Sequence, residues 1–190
     1  MKKIVIIGPE STGKSTLTNL LATHYKTLAC PEYAREYLML HGTNYNYDDL
    51  LTIAKGQLAE EEKYTSMINS QWSMGKENLP LTFHNSPMLF IDTDMYVMKV
   101  WCEYVFDKCH HFILNEINTR KYDAYLLCNV DLPWVKDELR EYPDEQPRKE
   151  LYQIYRDILI NQTTPWIEIS GNYEERFSTA VEFVNSLFKE

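Results

Sequence analysis

The sequence predicts an α/β protein in which a parallel sheet is covered by helices on both faces. Short apolar runs alternate with longer segments of helical periodicity along the 190 residues, a pattern typical of parallel sheets with crossover helices. The first apolar run, Ile4 to Ile7, leads into a glycine-bounded turn and then into a helix. The length suits one sizeable core, so we expect one domain over residues 1–190.

The glycine-bounded turn is Gly-Pro-Glu-Ser-Thr-Gly-Lys-Ser at residues 8–15, which matches the phosphate-binding P-loop. The backbone N–H groups of such a turn and the positive end of the following helix converge on one cavity. Lys14 is expected to bridge the β- and γ-phosphates of a nucleotide, and the Ser15 hydroxyl to bind Mg²⁺. The expected nucleotide-binding residues are Gly8, Glu10, Ser11, Thr12, Gly13, Lys14, Ser15 and Thr16.

The charge and hydropathy of the chain narrow the range of partners. There are 28 acidic and 19 basic residues, and no basic stripe interrupts the net charge of −9. A nucleic-acid backbone is therefore not an expected partner, and the substrate should be a small molecule. No apolar run approaches the roughly 18 residues that a membrane span needs, so no membrane partner is expected and the protein is predicted to be cytoplasmic.

The four cysteines, at positions 30, 102, 109 and 128, have no paired spacing. They predict buried thiols rather than a disulfide framework or a zinc site. Cys109, His110 and His111 are consecutive, and three consecutive side chains on a helix point in three directions. No metal is expected there.

Acidic residues follow the second predicted strand, Thr27 to Cys30, which Pro31 stops. Glu32 then lies at the carboxyl end of a strand, where α/β sheets bind ligands. Arg35 and Glu36 follow within about one helical turn, and Glu32 and Glu36 share a face at i, i+4. A solvated helix start would look the same, but the position at the sheet edge favours function.

The apolar run from Met88 to Ile91 predicts another buried strand, and the sequence continues after it with Asp92-Thr93-Asp94. Carboxylates therefore follow the carboxyl end of this strand as well. This pattern resembles a Walker B element. Asp92 could hold Mg²⁺ or accept a proton from an attacking hydroxyl, since phosphoryl transfer needs both roles. A helix N-cap is the competing interpretation and suits Asp94 better than Asp92.

Between these strand ends, residues 48–73 predict one long helix that walls the pocket, with Asp48 as its cap. Gln57 lies near its apolar stripe and is a candidate contact for the base or amide of a substrate. The three glutamates at 60–62 are expected on its solvated face. Residues 75–87 are rich in Gly, Pro and Asn and predict a loop.

The second half of the chain predicts helices over 96–107 and 109–120, strands over 124–128 and 166–169, and a last helix capped within 170–172. A charged segment, approximately residues 131–149, suits a lid that excludes water during phosphoryl transfer. Arg140 and Arg148 are its candidates for neutralising developing charge. Surface arginines paired with neighbouring acids remain the alternative interpretation.

Several motifs in this order resemble the ribosylnicotinamide kinase domain of the NadR-type family of P-loop kinases. They are GPESTGKST, PEYAREY, FIDTDMY, DLPWVKDELR with PRKEL, and ISGNYEERF, and together they run nearly end to end. The resemblance implies a three-layer P-loop NTPase/kinase fold with five parallel strands and an arginine-bearing lid. It departs from the family at Glu138, where glycine is expected, and at the start of the chain, where the family carries a nucleotidyl-transferring domain.

The resemblance also implies an activity, in which ATP and Mg²⁺ phosphorylate the 5′-hydroxyl of nicotinamide riboside to give nicotinamide mononucleotide. The expected catalytic residues are Lys14, Glu32, Asp92, Arg140 and Arg148. The expected Mg²⁺ ligands are Ser15 and Asp92. The expected contacts to the nucleoside are Glu32, Arg35, Glu36, Gln57, Asp94 and Trp134. If the Asp92 strand neighbours the P-loop strand, Asp92 is the metal ligand and Glu32, one strand further out, is the base.

Three other functions compete with this one. Glu32 after the second strand also resembles the deoxynucleoside kinases, so the acceptor could be another nucleoside or nucleotide. A regulatory NTPase is a second possibility, although the chain has neither an Asn-Lys-x-Asp nor an Asp-x-x-Gly guanine-nucleotide signature. A non-catalytic nucleotide-binding module is the third, and the presence of Lys14, Ser15 and Asp92 disfavours it.

Overall fold

The computed structural model describes residues 1–73, 87–139, 142 and 144–188. The strands within them are β1 (Lys2–Ile7), β2 (Leu28–Cys30), β3 (Met88–Asp92), β4 (Ala124–Cys128) and β5 (Trp166–Ile169). They form one parallel five-stranded sheet in the order β2-β3-β1-β4-β5. The predicted class, the five strands and the pairing of the Asp92 strand with the P-loop strand are confirmed.

Seven helices in the described ranges alternate with these strands. They are α1 (Lys14–His24), α2 (Tyr33–His41), α3 (Tyr47–Ser73), α4 (Met95–Phe106), α5 (His111–Thr119), α6 (Glu145–Ile160) and α7 (Tyr173–Leu187). Helices α1 and α7 pack on one face of the sheet, and α3, α4 and α6 pack on the other. The sheet is thus the middle of three layers. None of these helices combines the length and the apolarity that crossing a membrane requires.

Alternation of side chains along β1 builds the two apolar cores. Ile4 and Ile6 face α1 and α7, whereas Val5 and Ile7 face α4 and α6, and all four are fully buried. A strand covered on both faces needs a continuous apolar run, which is why β1 lacks polar alternation. A third apolar cluster joins α2, α3, α4 and α5 beside the sheet.

Most predicted ends of helices and strands differ from the structure by at most two residues. The exception is α6, which begins at Glu145, so the last five residues of the lid predicted over 131–149 are helical; Pro147 is tolerated there because it lies in the first helical turn. Helix α3 begins at Tyr47, and its cap is Asn46, whose Oδ1 accepts from the N–H groups of Asp48 (2.8 Å) and Asp49 (3.3 Å). The prediction that Asp48 caps this helix was therefore wrong. At the other end of the chain, Asn172 caps α7 in a capping box with Glu175, as expected. The loop predicted at 75–87 lies, except for Pro87, outside the described residues.

The three glutamates of α3 do not share one solvated face. Glu61 is buried with 1% of its surface exposed, and it accepts from Nζ of Lys3 (2.6 Å) and the hydroxyl of Tyr122 (2.9 Å). Arg120 adds a more distant ion pair at 3.5 Å. These contacts tie α3 to β1 and to the loop before β4, on which Tyr122 lies. The predicted solvated position of Glu61 was wrong because its partners are far away in sequence.

Glu61→Ala is expected to lower the free energy of unfolding by about 3 kcal/mol, because the substitution leaves buried donors without an acceptor. Urea titration followed by circular dichroism would measure the loss. Glu62→Ala is the matched control: the Glu62 side chain is 68% exposed and pairs with Arg120 at the surface, so its loss should stay below about 1 kcal/mol. Equal losses in the two variants would contradict the structural role of Glu61.

Candidate active site

The loop between β1 and α1 has the geometry of a phosphate-binding turn. The Thr12 hydroxyl donates to the Pro9 carbonyl at 2.7 Å, and Nζ of Lys14 donates to the same carbonyl at 2.9 Å. Helix α1 starts at Lys14, and the N–H of Leu17 bonds to Gly13 O at 3.0 Å. The unsatisfied N–H groups of the first helical turn therefore face the loop, where they form an anion-binding end.

Both glycines of the loop are required by geometry. At Gly8, an added Cβ would lie 2.7 Å from the carbonyl oxygen of Cys128, so a side chain would push the loop away from β4. Gly13 has a φ of 79°, in the left-handed region, and a Cβ there would lie 3.0 Å from Leu132 Cδ1. The two glycines thus allow the loop to turn closely against β4 and the segment after it.

Asp92 ends β3 beside the P-loop, because the register pairs it with Ile6 of β1. The residue is 2% exposed, and its Oδ1 is buried with no hydrogen-bond partner among the described residues. Burial raises the pKa of Asp92 to about 6, the negative charge of Glu32 adds to the rise, and Lys14 and the Ser15 side chain oppose it. Asp92 and Lys14 therefore interact electrostatically at the base of the cavity.

The Asp92 carboxylate and the Ser15 hydroxyl are chemically suited to bind Mg²⁺. A buried carboxylate oxygen without a protein donor lies close to the Ser15 hydroxyl, and Mg²⁺ prefers a few hard oxygen ligands of this kind together with phosphate and water. A cluster of three or more His, Cys, Asp or Glu side chains suited to a metal does not occur in the described parts of the chain. Ser15 and Asp92 are thus suited to share a metal with a bound phosphate group, rather than to bind one alone.

Glu32 lies on the far side of Asp92 from the P-loop strand, after β2. Its backbone is extended at the start of α2, yet its side chain forms no capping hydrogen bond with the helix. The residue lines the same cavity as Lys14 and Asp92. The helix therefore does not use this carboxylate, and a hydroxyl bound in the cavity can approach it.

Aromatic and apolar side chains form another part of the cavity wall. The cavity measures about 360 Å³, and Trp101 and Tyr104 of α4 line it together with Tyr142 of the lid segment and Tyr155 of α6. Tyr104 and Tyr142 meet edge to face, with ring centroids 5.7 Å apart. None of these four aromatic residues was predicted from the sequence. Val97, Trp101 and Tyr104 have i, i+4, i+7 spacing, but this pattern looks the same for a ligand pocket as for a packed core.

The lid segment contacts the P-loop through Glu10 and Ser11. Oε1 of Glu10 accepts from the N–H of Tyr142 (2.7 Å) and the indole N–H of Trp134 (3.4 Å). Ser11 Oγ accepts from the N–H of Val135 at 3.0 Å. Trp134, an expected nucleoside contact, therefore lies against Glu10 and is not among the cavity-lining residues.

Arg35, which lines the cavity, forms an ion pair with Asp137 of the lid segment. Nη2 of Arg35 lies 2.8 Å from Oδ2 of Asp137. Arg35 is an expected nucleoside contact, and the structure places it at the cavity with its guanidinium paired to the lid segment. Helix α2 is thereby connected to the segment that covers the P-loop.

Only one of the two arginines predicted in the lid lies among the described residues. Arg140 lies outside the described residues. Arg148 lies in the first turn of α6, one turn before the cavity-lining Leu151, and is 4% exposed. Its Nε and Nη1 atoms are buried without a hydrogen-bond partner among the described residues. A buried cation with unsatisfied donors is stabilised by an anionic ligand.

Gln57 is part of the scaffold and does not line the cavity. It is 2% exposed, its Oε1 accepts from the N–H of Tyr33 at 2.8 Å, and its Nε2 donates to Pro31 O (3.2 Å) and Asp92 O (3.4 Å). Both ends of the amide are therefore occupied. The expectation that Gln57 contacts the nucleoside is corrected: it links the ends of β2 and β3 and so fixes the distance between Glu32 and Asp92.

Asp94 and Glu36 also lie away from the cavity. Asp94 caps α4 by accepting from the N–H groups of Tyr96 (2.9 Å) and Val97 (3.4 Å), and its other oxygen accepts from the Tyr125 hydroxyl at 2.8 Å. Burial raises its pKa to about 7. Glu36 is exposed on α2. Neither residue lines the cavity, where nucleoside contacts were expected of both. For Asp94 the competing interpretation, a helix N-cap, is confirmed.

The chain is similar to proteins that bind nucleotides. A family model described as an AAA domain, AAA_28, matches residues 3–176. The trifunctional NAD biosynthesis/regulator protein NadR of Escherichia coli (strain K12) is 27% identical over 195 residues, which cover 100% of this chain and 43% of that protein.

Two crystal structures of NadR protein share the fold. One is in complex with NR and has a TM-score of 0.73, and the other is in complex with NAD and AMP-PNP and has a TM-score of 0.71. Each is 22% identical and covers 98% of this chain and 49% of the NadR chain. The chain thus spans about half the length of the relatives that it matches. Its architecture is the P-loop NTPase/kinase fold, and because the family model extends from β1 into α7, the chain belongs to the AAA_28 family of AAA domains.

Proposed function

We propose that this chain is an ATP-dependent kinase that phosphorylates the 5′-hydroxyl of nicotinamide riboside to give nicotinamide mononucleotide. One observation carries the proposal: a single cavity is lined by the P-loop with Lys14, by the carboxylates of Asp92 and Glu32, and by aromatic side chains. In-line phosphoryl transfer requires a donor site, a carboxylate and an acceptor pocket in one cavity.

The donor half of the cavity would hold the triphosphate of ATP. The Lys14 ammonium, which bonds to the Pro9 carbonyl in the structure, would turn to the β- and γ-phosphates as the loop N–H groups bind them. Ser15 and Asp92 would hold Mg²⁺, which when bound neutralises charge on the phosphate oxygens. Arg148, buried with two unpartnered nitrogens, would bind an oxygen of the transferring group.

The acceptor half supports Glu32 as the general base. The 5′-hydroxyl would give its proton to the Glu32 carboxylate as its oxygen attacks the γ-phosphorus, and the bond to the β-phosphate oxygen would break to release ADP. Glu32 suits this role because its carboxylate does not cap α2 and lies one strand beyond Asp92. Gln57, bonded to the ends of both strands, would keep the two carboxylates apart.

The aromatic wall supports a flat, positively charged base in the acceptor. The nicotinamide ring of the riboside is a pyridinium cation, and such a ring is attracted both to aromatic faces and to nearby carboxylates. Trp101, Tyr104 and Tyr142 would surround it. The Trp101 indole is fixed by its hydrogen bond to the Tyr45 hydroxyl at 2.9 Å, so this part of the pocket is preorganised.

The similarity to NadR supports the choice of acceptor, since the Escherichia coli relative is described as an NAD biosynthesis/regulator protein and a NadR protein has been crystallised with NR. A kinase for another nucleoside would use the same donor half, and differences in the acceptor wall would distinguish it. A regulatory NTPase would need no acceptor pocket. Aromatic side chains line the cavity together with Glu32, whose carboxylate does not cap α2. Both features favour a kinase over a regulatory NTPase.

The proposal is tested by incubating the purified protein with ATP, Mg²⁺ and a panel of nucleosides and measuring the mass of the product. We expect nicotinamide riboside to give the highest kcat/KM. Lys14→Ala should abolish turnover with an unchanged circular dichroism spectrum, because this side chain contributes charge to the phosphates and nothing to a core. Normal turnover in the Lys14→Ala variant would contradict the assignment of the P-loop as the ATP site. A higher kcat/KM for another nucleoside would show that the acceptor is not nicotinamide riboside.

Glu32→Gln and Asp92→Asn should separate the base from the metal ligand. Glu32→Gln should lose roughly 10²- to 10⁴-fold in kcat, the usual contribution of a general base, while ATP binding and its Mg²⁺ dependence stay near normal. Asp92→Asn should instead raise the Mg²⁺ concentration needed for half-maximal rate. Steady-state kinetics over a Mg²⁺ series measures both effects, and an exchange of the two phenotypes would make Asp92 the base.

Trp101→Ala is expected to raise KM for nicotinamide riboside by roughly 3- to 30-fold, the range of a cation–aromatic contact, and to leave KM for ATP unchanged. Trp72→Ala is the matched control, because Trp72 is 45% exposed near the end of α3 and does not line the cavity. An increase in KM for ATP, or an equal effect in the control, would contradict the assignment of the aromatic wall to the acceptor.

A further inference from the structure

Arg176, in the first turn of α7, is a buried cation with 2% of its surface exposed. Its guanidinium donates to the main-chain carbonyl oxygens of Thr12, Asn129 and Gly171, at 2.9, 3.0 and 2.8 Å. It also donates to Oδ1 of Asp131. These partners belong to the P-loop, the end of β4, the loop before α7 and the start of the lid segment, so one side chain joins four parts of the site.

The bond to Thr12 determines where the next backbone N–H points. In a trans peptide, the C=O and N–H groups point in opposite directions, and the described chain contains no cis peptide bond. Because the Thr12 carbonyl faces Arg176, the N–H of Gly13 faces away from Arg176. Gly13 lines the cavity, and backbone N–H groups of such a loop are its phosphate ligands.

The contacts around Arg176 also hold the neighbours of Gly13. Oδ2 of Asp131 accepts from the N–H of Gly171 at 2.5 Å, which closes a ring of polar contacts with the arginine. The residues next to this ring, Leu132 and Tyr173, lie 3.0 and 3.6 Å from the position that a Gly13 Cβ would occupy. Arg176 therefore restrains Gly13, whose φ is in the left-handed region, in two ways. It bonds to the carbonyl of the Thr12–Gly13 peptide, and it joins the segments whose side chains lie next to Gly13.

We propose that Arg176, oriented by Asp131, is a positioning residue for the nucleoside triphosphate. It fixes the Thr12–Gly13 peptide so that the Gly13 N–H points at the phosphates, and it binds the start of the lid segment to the same unit. The guanidinium does not itself contact the nucleotide. This inference rests on the proposed use of the P-loop to bind ATP, and it assigns a role to a residue outside the P-loop motif.

The test is the affinity of the full chain for ATP with Mg²⁺ and, separately, for nicotinamide riboside, both measured by calorimetry without turnover. Arg176→Lys keeps the charge but cannot reach all four acceptors, so ATP should bind about 10- to 100-fold more weakly, the range expected for lost hydrogen bonds to a charged group. Affinity for nicotinamide riboside should not change, because Arg176 does not line the acceptor half.

Arg120→Lys is the matched control. Arg120 forms ion pairs with Glu61, Glu62 and Glu116 and does not line the active-site cavity, so this variant should lose thermal stability and keep its ATP affinity. If Arg176→Lys behaves like Arg120→Lys, with lower stability but wild-type ATP affinity, Arg176 is only a structural residue and the inference is overturned.

Asp131→Asn decides the question if Arg176→Lys does not fold. A folded Asp131→Asn protein should bind ATP more weakly than wild type, because the arginine loses the carboxylate that orients it, and unchanged or tighter binding overturns the inference. Wild-type protein that fails to bind ATP would overturn the proposed function itself. The two failures are therefore distinguishable.

Discussion

The pairing of β3 with β1 is the contact on which the site depends. The register places Asp92 opposite Ile6, two residues before the P-loop begins, and the carboxylate is buried there beside Lys14 and Ser15. Burying a carboxylate oxygen without a hydrogen-bond donor costs free energy, and burial also raises the pKa of Asp92. A metal ion and a phosphate group arriving together would compensate it, so the feature that destabilises the unliganded site also prepares it for its ligand.

The sheet separates the two carboxylates that the proposed reaction needs. Glu32 follows β2, which pairs with β3 on the side away from β1, so one strand lies between the Glu32 position and the P-loop. Gln57 bonds across the ends of β2 and β3 and stabilises this spacing. Helices α4 and α6 then add the aromatic wall, and contacts from Glu10, Ser11 and Arg35 hold the lid segment over the same cavity.

The sequence predicted the strands, the P-loop and the position of Asp92 because these depend on local signals: apolar runs, glycine spacing and the end of a strand. It did not predict the roles of Gln57 and Glu61, and for Asp94 it offered the N-cap that the structure shows but not the bond to Tyr125. The partners of these buried polar residues are 24, 58 and 31 residues away, and periodicity gives no information about such pairs. For the same reason Arg176, 164 residues from Thr12, was indistinguishable from a surface arginine.

The dependence of ADP formation on the acceptor distinguishes a kinase from a hydrolase. In a kinase the γ-phosphoryl group passes from the P-loop side of the cavity to a hydroxyl held beside Glu32. With Mg²⁺ and ATP, adding nicotinamide riboside should increase ADP formation by orders of magnitude, with one nicotinamide mononucleotide formed for each ADP. ADP formation at the same rate without a nucleoside, with inorganic phosphate as the other product, would contradict the account and identify a hydrolase.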